Sequence, residues 1–142
     1  MLKNMKKILL VFACVAFVSC NKSFNSEELK QLNGYWEIKL AEMPDGTKKE
    51  YTVNPTIDYF ELKGNKGFRK KVMPQFDGTY RVNDLSEDIS VVNEDGKTYL
   101  SYKTEYAEWK EQILELDNEN LVLKNEQDIE YHYVKPEPFT LK

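Results

Sequence analysis

From Trp36 onward the hydrophobic pattern of this chain has a period of two, and no other feature narrows its folding options as far. Trp36, Ile38 and Leu40 alternate with Tyr35, Glu37 and Lys39, which is how a strand with one wet face reads. Short runs of the same character recur at 58–63, 68–73, 75–83, 89–93, 97–104, 121–124 and 129–134. Between them lie turn sequences: Pro44-Asp45-Gly46, Gly64-Asn65-Lys66-Gly67, Glu94-Asp95-Gly96 and Asn125 to Asp128. Gly78 inside 75–83 suits a bulge or bend, and Pro136 and Pro138 end the pattern. Ahead of it, Ser26-Glu27-Glu28-Leu29 opens like a helix with a Ser N-cap and acids in the first turn, and Asn33-Gly34 stops it within two turns.

One stretch reads two ways. Tyr102, Tyr106, Trp109, Ile113 and Leu116 step by 4, 3, 4 and 3, as on a helix. As a strand, the same stretch puts Trp109 and Ile113 on one face, with Glu111 between them, and Leu114 and Leu116 on the other. With that stretch included, eight or nine strands fit in one domain at antiparallel hairpin spacing, and such a sheet closes or splits into a sandwich. The expected class is all-β: an antiparallel up-and-down barrel behind a short N-terminal helix. An eight-stranded barrel has room inside for side chains or for one small ligand.

The first 20 residues have a different character. Lys3, Lys6 and Lys7 precede eleven apolar residues, Ile8 to Val18, the n- and h-regions of a secretory signal. A membrane-spanning helix needs about 20 residues, so this run is too short to span. It ends at Phe17-Val18-Ser19-Cys20, and Asn21-Lys22-Ser23 is abruptly polar. A small residue before a Cys at that place resembles the lipobox of bacterial lipoproteins. That resemblance implies that Cys20 is the lipid attachment point, carrying a diacylglyceryl group, and that no free thiol remains after cleavage. The expected parts are 1–19 as lipoprotein signal peptide, 20–25 as polar lipid-anchored tether and 26–142 as the barrel domain. Asn21 is not the Asp that resembles an inner-membrane retention signal, so within the cell envelope the outer membrane is favoured over the inner.

Gly34-Tyr35-Trp36, following a short helix and opening the first strand, resembles the G-x-W motif of lipocalins, whose Trp plugs the closed end of the barrel. Thr104-Glu105-Tyr106 is similar to their T-D-Y motif with Glu for Asp, and its place in chain order is right. The resemblance implies that the chain from Tyr106 onward is a strand and that Trp36 is the barrel-closing residue. The lipocalin Arg that packs over the Trp is absent, and Lys135 is the nearest cation. Signal, opening motif and the Tyr131-His132-Tyr133 strand together resemble the small lipocalin-like lipoproteins of Gram-negative bacteria.

Charge then sorts the functions. Removing residues 1–19 takes away three lysines and no acid, so the formal net charge moves from −4 to −7. A domain that acidic lacks the basic face nucleic acid requires. His132 is the only histidine; alternation puts it with Glu130 and Val134 on the wet face, opposite Tyr131 and Tyr133. A catalytic triad there would lack partners. Glu105, Glu108, Glu111 and Glu115 read as a solvated acidic face rather than a glycosidase pair. Residues 83–88 read as an oxygen-rich loop without EF-hand spacing. There is no phosphate loop, no nucleophile elbow and no His pair for a metal, so no enzyme activity, cofactor or metal is expected.

Aromatic residues stand out instead. Phe60, Phe76, Tyr80, Tyr102, Tyr131 and Tyr133 have inward parity, and with Leu100 and Leu114 they are the candidates for lining a ligand cavity. The expected function is a membrane-anchored envelope lipoprotein holding a small apolar ligand, neutral or weakly cationic given the net charge. The alternative is a structural or interaction lipoprotein, its barrel packed solid, contacting another envelope protein.

Overall fold

The computed structural model describes residues 22–137. Cys20 and the signal region lie outside the described residues. A one-turn helix α1 (Ser26–Leu29) and a 3₁₀ turn (Lys30–Leu32) lead into nine strands: β1 (Gly34–Glu42), β2 (Lys48–Glu50), β3 (Ile57–Lys63), β4 (Lys66–Pro74), β5 (Tyr80–Glu94), β6 (Lys97–Lys103), β7 (Glu108–Leu116), β8 (Asn120–Lys124) and β9 (Glu130–Val134). Consecutive strands from β3 to β9 pair antiparallel, β1 pairs with both β3 and β9, and the sheet closes as an eight-stranded barrel. The short β2 adds to the far half of β1. The stretch 108–116 is therefore a strand, starting two residues after Tyr106.

The helix N-cap is Asn25 rather than Ser26. Its side chain accepts from the Glu28 amide at 2.9 Å while the Glu28 carboxylate accepts from the Asn25 amide at 3.2 Å, a reciprocal capping box. Upstream of the cap, Phe24 is buried and its amide donates to Thr98 Oγ1 at 2.9 Å. The segment expected to be a polar tether is thus docked by residue 24. Phe24, Leu29 and Leu32 join Trp36, Leu62, Leu116 and Leu121 in the core and fill one end of the barrel.

Trp36 is fully buried there, and its Nε1 donates to the Leu32 carbonyl at 2.8 Å. Lys135 Nζ stands 3.9 Å above its ring and 3.4 Å from the Asn33 carbonyl, so a lysine sits where the lipocalin resemblance has an arginine. A Cβ on Gly34, whose φ is +120°, would come within 3.2 Å of Lys135 Nζ. Both the backbone angle and the space favour glycine at this point.

Three irregularities reset the parity of the strands. Ile38 pairs with Tyr133 and Leu40 with His132, leaving Lys39 as a bulge; Ala41, not Leu40, then points inward and is buried. Leu114 is the bulge residue of β7, between Ile113 and Glu115. In β5 the register slips between Lys70↔Ser86 and Val72↔Val82, and here the expected loop at 83–88 is part of one continuous 15-residue strand. The expected strand at 75–83 is instead mostly the β4–β5 turn, closed by Gln75 N–H to Thr79 O at 2.8 Å.

Candidate functional site

Phe60, Leu100 and Tyr102 point into the barrel with no exposed surface, and Tyr133 is buried beside them. Tyr131 packs half-buried against the same cluster. Three expected lining residues do not join them. Phe76 lies in the β4–β5 turn and is 75% exposed. Tyr80 stacks on Tyr35, ring centroids 4.0 Å apart, in an exterior group with Tyr59. Leu114 is the bulge residue and stays out of the inward row of Trp109, Glu111 and Ile113, which Leu116 rejoins past the bulge. An aromatic cavity built from all eight candidates is therefore not what the fold assembles.

What it assembles is a charged interior. The two-residue turn Gly64-Asn65 fixes β3 against β4 so that Leu62 faces Gly67 and Phe60 faces Arg69. Inward-facing Phe60 and Leu62 thus bring Arg69 inward, and Phe68 goes to the outside. The Arg69 guanidinium stands 4.3 Å over the Tyr102 ring. It donates to Glu87 through Nη2 at 2.6 Å and Nε at 3.2 Å, and Nη1 lies 3.5 Å from Glu111 Oε1. Asp58, buried nearby, accepts from Lys71 at 2.9 Å.

Glu111, expected on a solvated face, is 6% exposed. It sits between Trp109 and Ile113 on the inward face of β7, opposite Leu100. Burial pushes its pKa up; Arg69 and Tyr102 oppose that, and Asp58 and Glu87 add to it. Burial also raises the Tyr102 phenol well above its ordinary range, with Glu111 adding to the rise. Arg69 moves up despite the burial penalty, because Tyr102, Glu87 and Asp58 outweigh it. The Tyr102 hydroxyl and Glu111 Oε1 are both sealed from solvent without a well-formed hydrogen bond. A buried polar atom left that way costs on the order of 1–3 kcal/mol, and such exceptions call for a cause.

Glu111 and Arg69 form the floor of a cleft of about 510 Å³, whose walls are Trp109, Tyr131 and Tyr133 and whose rim carries Glu108, Glu126, Asn125 and Gln127. It opens where β7 and β9 begin and β8 ends, the barrel end opposite Trp36. Trp109 stacks on Tyr102 with centroids 5.4 Å apart and an 18° tilt, and this carries the cleft wall down to the buried phenol. Arg69 gives Nε–H and one Nη2–H to Glu87 and turns Nη1 toward Glu111, so its charge is already offset by two carboxylates. Glu87 and Glu111 flank the guanidinium, and Glu108 and Glu126 add two more carboxylates at the rim.

A closed meander with one end plugged and the other open over buried polar groups belongs to the small barrels that are organised around their interior. Residues 32–123 match the lipocalin-like domain, and the chain belongs to that family. It is also similar to a lipocalin-like protein from Bacteroides uniformis, with a TM-score of 0.47 and 12% identity over 75% of this chain and 99% of that one. An uncharacterized protein from Bacteroides eggerthii gives 0.47 and 12% over 74% and 99%. Obg-like ATPase 1 of Danio rerio is 27% identical over 117 residues, which is 80% of this chain; the chain spans 27% of that protein's length.

Proposed function

We propose that the protein is a lipid-anchored envelope lipoprotein whose barrel binds a small amphipathic ligand with an ammonium or other hydrogen-bond-donating head. The observation that carries this reading is Glu111 Oε1, which is sealed at the floor of an aromatic-walled cleft with an ion-pair contact to Arg69 at 3.5 Å but no hydrogen bond. A protonated amine there would satisfy the carboxylate, and its apolar body would lie against Trp109, Tyr131 and Tyr133, where cation–π attraction adds about 0.5–2 kcal/mol. An anionic head would meet the rim carboxylates and an arginine whose charge Glu87 and Glu111 already offset. The apolar ligand, neutral or weakly cationic, expected from the sequence is thereby narrowed to an amphipathic one with a donor head. The site is one for binding rather than catalysis, because the chain's only imidazole, His132, lies on the outer face.

The anchor and the site fit together. With Cys20 as attachment point, only Asn21 to Ser23 separate the lipid from the docked Phe24, a reach of roughly 10 Å. Phe24 packs at the plugged end, so that end would face the membrane and the cleft would face the aqueous periplasm. Ligand would then arrive from solution or from another protein rather than out of the bilayer. Asn21 favours the outer membrane as the site of anchoring.

Three probes sharing one carbon body test the head-group reading: phenethylammonium, phenethyl alcohol and phenylacetate, each titrated against Trp fluorescence. Binding in the order ammonium, alcohol, acetate, with the ammonium lost in Glu111→Gln, is the expected result. A second reading has its own support, since the plugged half of the barrel is filled by Leu29, Leu32, Trp36, Leu62, Leu116 and Leu121. If none of the three probes binds, a packed barrel that contacts another envelope protein becomes the better account.

A further inference from the structure

We propose that Glu42, Glu130 and His132 form a site for a divalent transition-metal cation of the zinc type, on the outer face of the barrel across the seam that closes it. The site is separate from the ligand cleft and does not depend on that reading. β1 and β9 pair with Glu42 opposite Glu130 and Leu40 opposite His132. Glu130 and His132, two apart on one strand, therefore share a face, and Glu42 joins them from the next strand. His132 Nε2 lies 3.6 Å from Glu130 Oε1 and 4.0 Å from Glu42 Oε2, and the three ligand atoms all fall within 4.8 Å of one another.

The imidazole distinguishes this cluster from an ordinary acidic patch. Its Nε2 is sealed from solvent and makes no hydrogen bond, because both carboxylates stand beyond hydrogen-bonding distance. Three atoms able to ligate a metal face one another, and among the described residues no lysine or arginine reaches between them. A tetrahedral zinc with nitrogen and oxygen ligands at about 2.0–2.2 Å spaces them about 3.4 Å apart. Binding would therefore draw the imidazole about 0.2 Å closer to Glu130 and about 0.6 Å closer to Glu42. It would also bring the two carboxylate oxygens together from within 4.8 Å, movements that side-chain rotation can supply. Two carboxylates and a neutral imidazole balance a doubly charged ion. All three side chains remain about one-third exposed, leaving the fourth position to water. Lys124, which faces Glu130 from β8, turns to Asp128 at 3.8 Å, and Lys48 faces Glu42 from β2; neither fills the gap. Imidazole with carboxylates selects zinc-like cations over magnesium, which prefers all-oxygen octahedra. The bound ion would pin β1 to β9, the pairing that closes the barrel.

The test uses the chain without a histidine tag, stripped with EDTA and titrated with Zn²⁺ by calorimetry. One site per chain with a dissociation constant of about 1–10 μM is expected, with Mg²⁺ at about 10 mM failing to compete. His132 is the only histidine, so its ring nitrogens give one pair of NMR signals, and Zn²⁺ should move Nε2 rather than Nδ1. His132→Gln should abolish binding, and Glu42→Gln should weaken it at least about tenfold. If His132→Gln fails to fold, the wild-type NMR titration and Glu42→Gln decide. No saturable binding below about 1 mM would overturn the proposal. So would binding that leaves the imidazole signals unmoved, which would put the ion elsewhere, or an Nε2 that stays protonated through the titration.

Discussion

Arg69→Met keeps most of an aliphatic stem and removes the guanidinium, so it isolates the charge at the centre of the barrel. In the native chain that charge gives Glu87 two bonds, at 2.6 and 3.2 Å, stands 3.5 Å from Glu111 and covers the Tyr102 ring. The side chains of Arg69, Glu87 and Glu111 are 12%, 21% and 7% exposed, so little water can enter to replace it. Lys71 cannot substitute, being held by Asp58. Breaking a buried pair from one side costs about 3–5 kcal/mol, and the partial exposure of Glu87 puts the expectation at about 3–4. Set against a typical domain stability of ~5–15 kcal/mol, that should lower the melting temperature by about 10 °C or more.

Thermal and urea unfolding followed by near-ultraviolet dichroism measures this, since the stacked Tyr102 and Trp109 supply the signal. The pH dependence gives a second readout. Glu111 has a raised pKa in the fold, so its contribution is fully present below the ordinary carboxylate pKa and is lost as pH rises through the raised value. Without Arg69 that loss deepens, so the deficit of the variant should shrink in acid and grow towards neutrality. Arg69→Met with Glu87→Gln should recover more than half of the single-variant loss, because removing both partners of a buried pair is often close to neutral. A single variant within about 0.5 kcal/mol of the native chain at pH 7, the size of an ordinary surface change, would refute the reasoning; a deficit flat in pH would do the same.

Trp36→Ala should cost about 3–5 kcal/mol in the same unfolding experiments, and Trp36→Phe about 1 kcal/mol for the lost bond to Leu32; an unshifted melting temperature would mean the plug carries no load. Cys20→Ala should move the protein from the membrane pellet to the soluble fraction and remove the acyl mass, whereas a native mature form without lipid would sink the anchor. Phenethylammonium affinity should rise with pH through the elevated Glu111 pKa, as the carboxylate ionises, and Glu111→Gln should flatten that profile.

The barrel was legible because most of its strands declare themselves by alternation and turn. β3, β6 and β9 keep strict parity from end to end, so Phe60, Leu100, Tyr102, Tyr131 and Tyr133 could be placed from the sequence alone. Strands that carry a bulge could not be read past it: Leu40 left the inward row and Leu116 joined it because Lys39 and Leu114 take an extra place in the ladder, and nothing in their side chains announces it. Phe76 and Tyr80 were misread for another reason. A run of aromatic residues around Gly78 looks like a strand with a gap, but Asp77 accepts from the Thr79 amide at 3.0 Å and hydroxyl at 2.6 Å, and Asx chemistry of that kind builds a turn.

The charged floor was hidden by an assumption rather than by missing information. Parity placed Glu111 between Trp109 and Ile113, yet a carboxylate in that row is ordinarily taken as evidence that the face is wet. The cation that makes its burial tolerable lies on another strand, where Arg69 looks like the polar neighbour of an inward Phe68. Only the two-residue turn at Gly64-Asn65 corrects that impression, since it ties Arg69 to Phe60 through the hairpin register. Gly67 enforces the same register: a Cβ there would collide with the Glu61 carbonyl, so β4 can lie this close to β3 only with glycine opposite Leu62. The sequence elements that place Arg69 inside are thus a turn four residues back and a glycine two residues back. Buried charge in a small barrel is better sought by propagating register outward from its tightest hairpins than by scoring each strand by itself.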